Sequence, residues 1–424
     1  MKRFRFGSAI LGLMGCAALV LTATSPAKAA FVVGGENGWQ MSFDGMINAF
    51  MVYTMQGNVV DRHGNTLQQS ATQGFSDRTG LLPSIFAFNV KSPTIAGVDY
   101  GVRIGLYPQI QNNHSRTGFG PDTIGNLDGG GGSRIDIREV FFTADGKFGQ
   151  FLIGRALNLY EGKNILTDMT LIGVGVPLDT AGAGTTLGNI GYGYSYPSFG
   201  PQFRYTTPDL AGLKIALAVA DPSRIGSADG TWANKTNQPR FEMEMSYAKS
   251  FGAAKMQAWT SALYQQAQFA PTHHKVASIG GAGGAQVVVG PVEMLVSGFG
   301  GKAVGMLFCQ DGIAALDDSA IDNVGKERVT YGGLAHVTYT VGPVKIGAQY
   351  GINYADRTDN DVLQVNDGTD SVKKSQQAVT GGVYYSLNKY LTIVGEYTWA
   401  RDSWYNSSAR TDKNIISLGT VFTW

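Results

Sequence analysis

The chain has 424 residues, of which 58 are glycine, and its formal net charge is +1. Charged residues make up only 15% of the chain, while aromatic residues make up 11%. The aromatic content excludes a disordered chain, and the near-neutral charge excludes a broad basic surface for nucleic acid. A weakly charged chain rich in glycine and aromatic residues is typical of a membrane β-barrel, although a soluble all-β protein can share this composition.

The first residues have the pattern of a targeting segment. Basic residues precede an apolar run over 9–21, and small residues flank position 28. We predict a secretory signal peptide over 1–29, cleaved after Ala29 or Ala30. Acylation of Cys16 is the alternative interpretation, disfavoured because the apolar run continues past the cysteine. Removal of four basic residues with this segment changes the formal charge from +1 to −3, and only Cys309 remains, so no intramolecular disulfide can form.

Apolar and polar residues then alternate from end to end of the chain, as in strands with one apolar face. No apolar run past the targeting segment approaches the roughly 18 residues of a membrane helix. The clearest alternating segments lie at 39–53, 99–106, 240–247, 329–339, 344–354 and 414–424. The last of these ends the chain inside a strand. Its apolar phase carries Ile416, Leu418, Phe422 and Trp424.

Short and long connections take turns between the predicted strands. The short ones, rich in turn residues, lie at 93–98, 145–146, 208–212, 250–253, 290–291, 342–343 and 388–389. The long polar ones lie at 57–80, 112–133, 157–200, 221–238, 266–275, 309–327, 355–376 and 401–412. Fifteen connections predict sixteen strands, an even number as in bacterial single-chain barrels. The glycine-rich pattern over 276–308 does not define a strand register.

Three features favour lipid over a soluble core. One strand phase is almost free of charge, aromatic residues gather near strand ends, and the other phase carries isolated charges that a dry core would not tolerate. Because every backbone group needs a partner in lipid, the sheet must close and the last strand must pair with the first. We therefore predict an all-β fold, a sixteen-stranded transmembrane antiparallel β-barrel forming one domain over 30–424.

Two stretches carry a family resemblance. Residues 134–155 read RIDIREVFFTADGKFGQFLIGR, and residues 203–219 read FRYTTPDLAGLKIALAV. With the long insert between them, they resemble the centre of the Gram-negative general porins, the trimeric sixteen-stranded family. The terminal strand also resembles that family's assembly signal, although phenylalanine is its more usual last residue. The resemblance covers the mature chain in layout and about a quarter of it in motif.

The resemblance implies a water-filled channel for passive diffusion of ions and small hydrophilic solutes, with no catalysis and no cofactor. It implies a homotrimer in the outer membrane of a Gram-negative bacterium, in contact with lipid and with the barrel-assembly machinery. It also implies that the loop after the fifth strand, here 157–200, folds into the lumen. The alternatives are a substrate-selective porin and a closed structural or adhesive barrel.

A pore constriction of this family sets acidic loop residues against basic wall residues, and the resulting field selects solutes. The candidates for the basic wall are Arg103, Arg138, Arg134, Lys91, Arg204 and Arg155. The candidates for the acidic loop are Asp168, Glu161 and Asp179. The alternative is that these are ordinary lumen and loop residues. The family's acidic Pro-Glu-Phe-Gly-Gly segment is absent, and the apolar stretch at 171–175 in its place predicts a more apolar constriction.

Other candidate sites are weaker. Five histidines are present, and the adjacent pair His273 and His274 is more typical of a loop than of a metal site. No nucleophile, base and orienting group come together in the sequence. Strand alternation points Glu139 outward, and we predict that this carboxylate is buried in a subunit interface, since a lipid-facing carboxylate is unfavourable.

Overall fold

The computed structural model describes residues 31–111, 135–178, 184–226, 232–269, 271–310, 320–366 and 372–424. The predicted signal peptide lies outside these residues. In the described part of the chain, no helix is long and apolar enough to cross a membrane.

Sixteen antiparallel strands form one closed barrel. Strand β2 consists of two parts, Thr72–Arg78 and Ile85–Lys91, which both pair with β1. The other strands are β1 Gln40–Gln56, β3 Asp99–Pro108, β4 Ile135–Gly146, β5 Gly149–Leu157, β6 Phe199–Thr206, β7 Leu213–Ala220, β8 Arg240–Phe251, β9 Ala254–Phe269, β10 Lys275–Val289, β11 Val292–Lys302, β12 Val329–Val341, β13 Val344–Ala355, β14 Lys373–Ser386, β15 Leu391–Trp404 and β16 Arg410–Thr423.

Each strand pairs with the next along the chain, and β16 closes the barrel against β1. The closing register runs from Met46 opposite Thr423 to Gln56 opposite Lys413. Trp424 continues this contact, since its backbone N–H donates to the carbonyl of Gly45 at 3.1 Å. The prediction that the last strand pairs with the first is therefore confirmed.

The remaining elements lie in the connections. Helix α1, Gly162–Leu166, and a 3₁₀ turn, Met169–Ile172, follow β5, and helix α2, Asp359–Asn366, follows β13. A second 3₁₀ turn, Asn406–Ser408, joins β15 to β16. Short strands outside the sixteen are Phe31–Gly34, Val59–Val60, Thr66–Gln68, Ile225–Gly226 and Trp232–Lys235.

Several predicted loops are shorter than the sequence pattern indicated. Thr72–Arg78 is a strand inside the predicted loop 57–80, and the connections at 270–274 and 405–409 are short because their flanking strands extend into them. Polar residues in these stretches predict loops, whereas the structure continues the strands through them.

Side chains alternate between the two faces of the wall, as strand geometry requires. On β1, Ile47 and Met51 are 52% and 49% exposed, whereas Phe50 and Val52 between and beside them are 2% and 0% exposed. On β16, Ile416, Leu418 and Phe422 belong to the outward phase. The outer face is thus a continuous apolar band.

The glycine-rich stretch 276–308, for which the sequence defined no register, contains the regular strands β10 and β11 and the start of the next connection. Gly284 lies opposite Trp259 on β9, and a Cβ atom at Gly284 would lie 2.4 Å from the Trp259 ring. At Gly280, a Cβ atom would lie 2.7 Å from the Tyr160 hydroxyl. The glycines therefore leave room for large inward side chains, which is why the stretch lacks the usual alternation.

Candidate functional site

The connection from β5 to β6, residues 158–198, is largely buried over its described part. Tyr160, Val176, Tyr192 and Tyr194 are each at most 1% exposed. The segment packs with wall residues in two apolar clusters, the larger of which includes Leu81, Trp259, Leu295 and Leu334 from four strands or strand ends. Surface loops are seldom buried in this way, so this long connection has a structural or functional role.

The first part of the segment is held by β8 and β9. Glu242 on β8 accepts hydrogen bonds from the backbone N–H groups of Leu159 and Tyr160, at 2.7 and 3.3 Å. On β9, the Trp259 indole N–H donates to the side chain of Asn164 at 2.8 Å. Inward side chains of the wall thus supply hydrogen-bond partners that the backbone of this segment would otherwise find in a helix or sheet.

The middle of the segment is held by β13 and β15. The backbone N–H of Met169 donates to Gln349 Oε1 at 2.9 Å. Glu396 Oε2 accepts from the N–H groups of Val174 and Gly175, at 2.8 and 2.9 Å. The attachments are therefore spread over widely separated parts of the wall, from β8 round to β15.

Asp168, the first loop acid predicted for the constriction, is 3% exposed and fully engaged. Its Oδ1 accepts from the N–H and hydroxyl of Thr170 and from the Gln349 amide, at 2.7–2.8 Å. Its Oδ2 accepts from the Tyr194 hydroxyl at 2.6 Å and the Asn189 N–H at 3.1 Å. This carboxylate joins distant parts of the segment to each other and to β13.

Glu161 is fully buried at the start of the segment. Its carboxylate accepts from the hydroxyl and the N–H of Ser195, at 2.6 and 2.8 Å. Burial raises the pKa of Glu161 to about 8, since desolvation disfavours the charged form more than these hydrogen bonds favour it. Glu161 thereby ties the beginning of the segment to its end.

Arg103, on the inward phase of β3, is the centre of an ionic network. Its guanidinium pairs with Asp44 on β1 at 2.9 Å and with Glu139 on β4 at 2.6 Å. It also donates to Asn89 on β2 at 3.0 Å. The side chain is 16% exposed, so it is largely buried in this network.

The prediction that Glu139 points outward is wrong. In the β3–β4 register, Glu139 lies opposite Gly105 and Ile137 lies opposite Leu106, so Arg138 is an extra residue without a cross-strand partner. This β-bulge reverses the phase of the strand within one residue. Both Arg138 and Glu139 therefore face inward, and Glu139 accepts from Arg103 and from the Tyr107 hydroxyl.

Arg138 lies among aromatic rings near the extracellular end of β4. Its guanidinium is 5.6 Å from the centroid of the Tyr107 ring and 5.9 Å from that of Phe199. It donates to Asp136 at 2.7 Å and to the Tyr196 hydroxyl at 3.3 Å. Arg138 is therefore paired with a carboxylate and lies against three aromatic side chains.

The other predicted wall residues differ in position. Arg204 is 6% exposed and donates to the carbonyl of Leu157, the last residue of β5. Lys91 is half-buried on the inward phase of β2, whereas Arg155 is exposed, shares the outward phase of β5 and donates to the Phe199 carbonyl at 2.7 Å. Arg134 and Asp179 lie outside the described residues.

The sequence did not single out Lys163 and Glu244. Lys163 in α1 lies 3.8 Å from Glu244 on β8, and both side chains remain partly exposed, at 16% and 14%. This pair has the opposite polarity to the family pattern, because the loop supplies the cation and the wall the carboxylate. The alternation of Arg240, Glu242 and Glu244 with apolar residues was the signal that could have found the wall side.

Sixteen antiparallel strands, an apolar outer band and charged groups on the inner face define the protein as a β-barrel channel of the outer membrane. A family model described as Gram-negative porin matches residues 15–403, and the chain belongs to the Gram-negative porin family. It is an outer-membrane channel for passive diffusion of small solutes, and the family and fold are those of channels rather than enzymes.

Solved structures share this fold at low sequence identity. The outer membrane channel DcaP of Acinetobacter baumannii is 14% identical, with a TM-score of 0.62 over 93% of this chain and 100% of that one. An anion-selective porin from Comamonas acidovorans is 14% identical, with a TM-score of 0.57 over 91% and 100%. OmpF of Salmonella typhi is 11% identical, with a TM-score of 0.51 over 91% and 98%. No curated protein matches the chain.

Proposed function

We propose that the 158–198 segment lies in the lumen and narrows the diffusion pathway. The observation that carries this proposal is the spread of its attachments, since inward side chains on β8, β9, β13 and β15 all bind its backbone or side chains. A segment outside the barrel cannot reach inward-facing side chains on opposite sides of the barrel. A barrel of sixteen strands otherwise leaves a wide aqueous channel.

The narrowed pathway passes the partly exposed pair Lys163 and Glu244. Arg103 on β3 and Arg138 on β4 supply basic groups elsewhere on the wall, each paired with carboxylates, and Lys91 and Arg204 are further basic groups. Asp168 and Glu161 are saturated with hydrogen bonds, so their role is to hold the shape of the segment. The field across the pathway is consequently weaker than a row of loop carboxylates facing arginines would give.

Single-channel recording under a salt gradient tests this proposal. We expect Lys163→Gln to shift the reversal potential toward cation preference and Glu244→Gln to shift it toward anion preference. Lys249→Gln is a matched control, because Lys249 is an exposed residue on the outward phase of the same strand as Glu244. If neither Lys163→Gln nor Glu244→Gln differs from the Lys249→Gln control, the pathway does not pass this pair.

The channel is proposed to be a homotrimer in contact with outer-membrane lipid. Asp77 suggests that part of the outer face is covered by another subunit. It lies on the outward phase of β2 opposite Met51, and the next outward pair is Tyr53 and Phe75. Next to it, residues 79–84 interrupt the strand, and their backbone is satisfied by side chains such as Asn48. A carboxylate beside an interrupted strand fits a subunit contact better than lipid.

The mobility of the unheated protein on detergent gels tests the trimer. Asp77→Arg is expected to weaken the trimer, whereas Asp221→Arg, an exposed carboxylate after β7, should leave it intact. Equal trimer content in the two variants would remove Asp77 from the subunit contact.

A substrate-selective channel is the second candidate function. It is favoured by Arg138, whose guanidinium lies among the rings of Tyr107, Phe199 and Tyr196. Such a cluster attracts solutes that combine an aromatic or sugar ring with an anionic group. Saturable block of the ion current by such a solute, lost in Arg138→Gln, would favour selectivity over general diffusion.

Export and assembly complete the proposal. Residues 1–29 act as a cleaved signal peptide, and the barrel-assembly machinery recognises the outward phase of the last strand, Ile416, Leu418, Phe422 and Trp424. Amino-terminal sequencing of the purified protein tests the cleavage after Ala29 or Ala30. Substitution of Trp424 by serine should reduce the yield of assembled barrel, while substitution by phenylalanine should not.

A further inference from the structure

We propose that residues 303–310, the start of the connection from β11 to β12, form a second constriction element, joined to the 158–198 segment as one unit. We call these eight residues the second loop. The inference rests on the proposed function, because it assigns a partner to the segment that narrows the pathway. The unit, rather than one loop alone, then sets the size of the solutes that pass.

The two segments are joined by backbone hydrogen bonds. The N–H of Tyr196 donates to the Leu307 carbonyl at 2.9 Å, and the N–H of Cys309 donates to the Tyr196 carbonyl at 3.0 Å. Tyr196 and Phe308 thus form a parallel β-bridge, and their rings meet edge to face with centroids 6.1 Å apart. This pairing brings together residues separated by more than one hundred positions in the chain.

Asn353 on β13 clamps both segments to the wall. Its amide NH₂ donates to the carbonyls of Met306 and Tyr194, at 2.7 and 3.2 Å, and its carbonyl accepts from the N–H of Gly193 at 2.9 Å. The side chain is fully buried. One wall residue thereby fixes the position of the second loop relative to the 158–198 segment.

Apolar packing completes the junction. Leu307 is 3% exposed and belongs to the same cluster as Ile190, Tyr192 and Tyr194. A Cβ atom at Gly191 would lie 2.5 Å from Leu307 Cδ1, so the absence of a side chain at Gly191 leaves room for the Leu307 side chain. Cys309, 1% exposed, packs in a neighbouring cluster with Tyr160 of the 158–198 segment.

The second loop is also anchored independently of the junction. The hydroxyl of Ser278 on β10 donates to the Ala303 carbonyl at 2.8 Å, and the hydroxyl of Thr330 on β12 donates to the Gly305 carbonyl at 3.0 Å. Arg240 on β8 donates to the side chain of Gln310 at 3.1 Å. Because its own anchors hold it, the second loop can buttress the 158–198 segment rather than follow it.

A disulfide lock tests whether the junction persists in the conducting channel. Tyr196→Cys and Phe308→Cys, introduced together in a Cys309→Ser background, place two thiols at adjacent positions of a β-bridge, within reach of a disulfide. We expect the disulfide to form in the folded trimer and the oxidised and reduced channels to conduct equally. A current that falls on oxidation and recovers on reduction would show that the junction opens during conduction and would overturn the proposal.

A pair of cavity variants tests whether the second loop limits pore size. Leu307→Ala removes side-chain volume from the second loop, and Leu295→Ala removes the same volume from the β11 wall in the same cluster. We expect Leu307→Ala to raise single-channel conductance and to admit larger sugars in liposome swelling, beyond any change in Leu295→Ala. Equal behaviour of the two variants would reject a role for the second loop.

A third variant separates failure of this inference from failure of the proposed function. Glu396→Leu releases only the 158–198 segment, since Glu396 binds Val174 and Gly175 there. If Glu396→Leu changes conductance while Leu307→Ala behaves like Leu295→Ala, the 158–198 segment is the constriction and the second loop is not part of it. If neither Glu396→Leu nor Leu307→Ala changes conductance, neither segment narrows the pathway.

Discussion

Carboxylates of the inner wall have two kinds of partner, loop backbone N–H groups and an arginine. On β8 and β15, Glu242 and Glu396 accept the backbone N–H groups of the 158–198 segment. On β1 and β4, Asp44 and Glu139 are instead paired with Arg103, and the hydrogen-bond donors described for these two carboxylates all lie on strands. The same alternating strand pattern therefore produces wall strands whose carboxylates hold a loop and wall strands whose carboxylates form a charged surface. Removing a residue from each kind of strand should have different consequences.

The largest effect is expected for Arg103→Leu. Without the guanidinium, Asp44 and Glu139 face each other as unpaired carboxylates, and breaking a buried ion pair in this way typically costs about 3 kcal/mol or more. The variant should lower the free energy of unfolding in detergent and shift the reversal potential toward cations. The double variant Arg103→Leu/Glu139→Gln should recover much of the stability, because it removes one of the unpaired charges. A fully stable Arg103→Leu channel would show that water already screens this network.

A smaller loss of stability is expected for Glu396→Leu, on a strand whose carboxylate holds a loop. The N–H groups of Val174 and Gly175 then lose their acceptor, a change that costs about 1–3 kcal/mol for a buried group. The conductance should rise as well, since the segment is released from β15. Glu396→Gln is the matched control, because the amide oxygen can still accept. If glutamine and leucine behave alike, these hydrogen bonds do not hold the segment.

The sequence was sufficient to predict the barrel because alternation is a local property. Most strands have an apolar phase of their own, and the connections between them are recognisable locally, so sixteen strands could be counted without long-range information. The pairing of β16 with β1 followed from the need to close the sheet in lipid. The same reasoning failed at Glu139 for a local reason. The bulge at Arg138 adds one residue to the strand, and a shift of one residue moves every following side chain to the other face.

The candidate site was less accessible to sequence reasoning. The contacts of Glu396 with Val174 and of Gln349 with Met169 join residues about two hundred positions apart. The periodicity of a strand does not show which inward carboxylate accepts hydrogen bonds from a loop and which forms an ion pair with an arginine. The length of the 158–198 connection indicated that it matters, but Lys163 and Glu244 could be paired only after the segment had been placed in three dimensions.

An intermediate effect is expected from Glu161, whose contribution depends on pH. Burial raises the pKa of Glu161 to about 8 from an ordinary value of 4.5, so the folded state favours the protonated form. Its contribution to stability is therefore fully present below pH 4.5 and is lost as the pH rises to about 8. Urea unfolding in detergent across this range should show a decline that is absent in Glu161→Gln. Parallel profiles for the two proteins would contradict the buried, protonated carboxyl.

The smallest effect on conductance and reversal potential is expected for Arg155→Gln. This variant tests whether a charge on the outer face of the wall is separate from the charges that line the lumen. Arg155 shares the outward phase of Phe151 and lies opposite Pro201, and its one described hydrogen bond goes to the Phe199 carbonyl. Because the charge is outside the lumen, conductance and reversal potential should equal those of the unmodified channel, whereas Lys163→Gln shifts the potential. If Arg155→Gln shifts it equally, the end of β5 turns its guanidinium toward the pore mouth. The phase of a strand would then not determine which charges the permeating ions encounter.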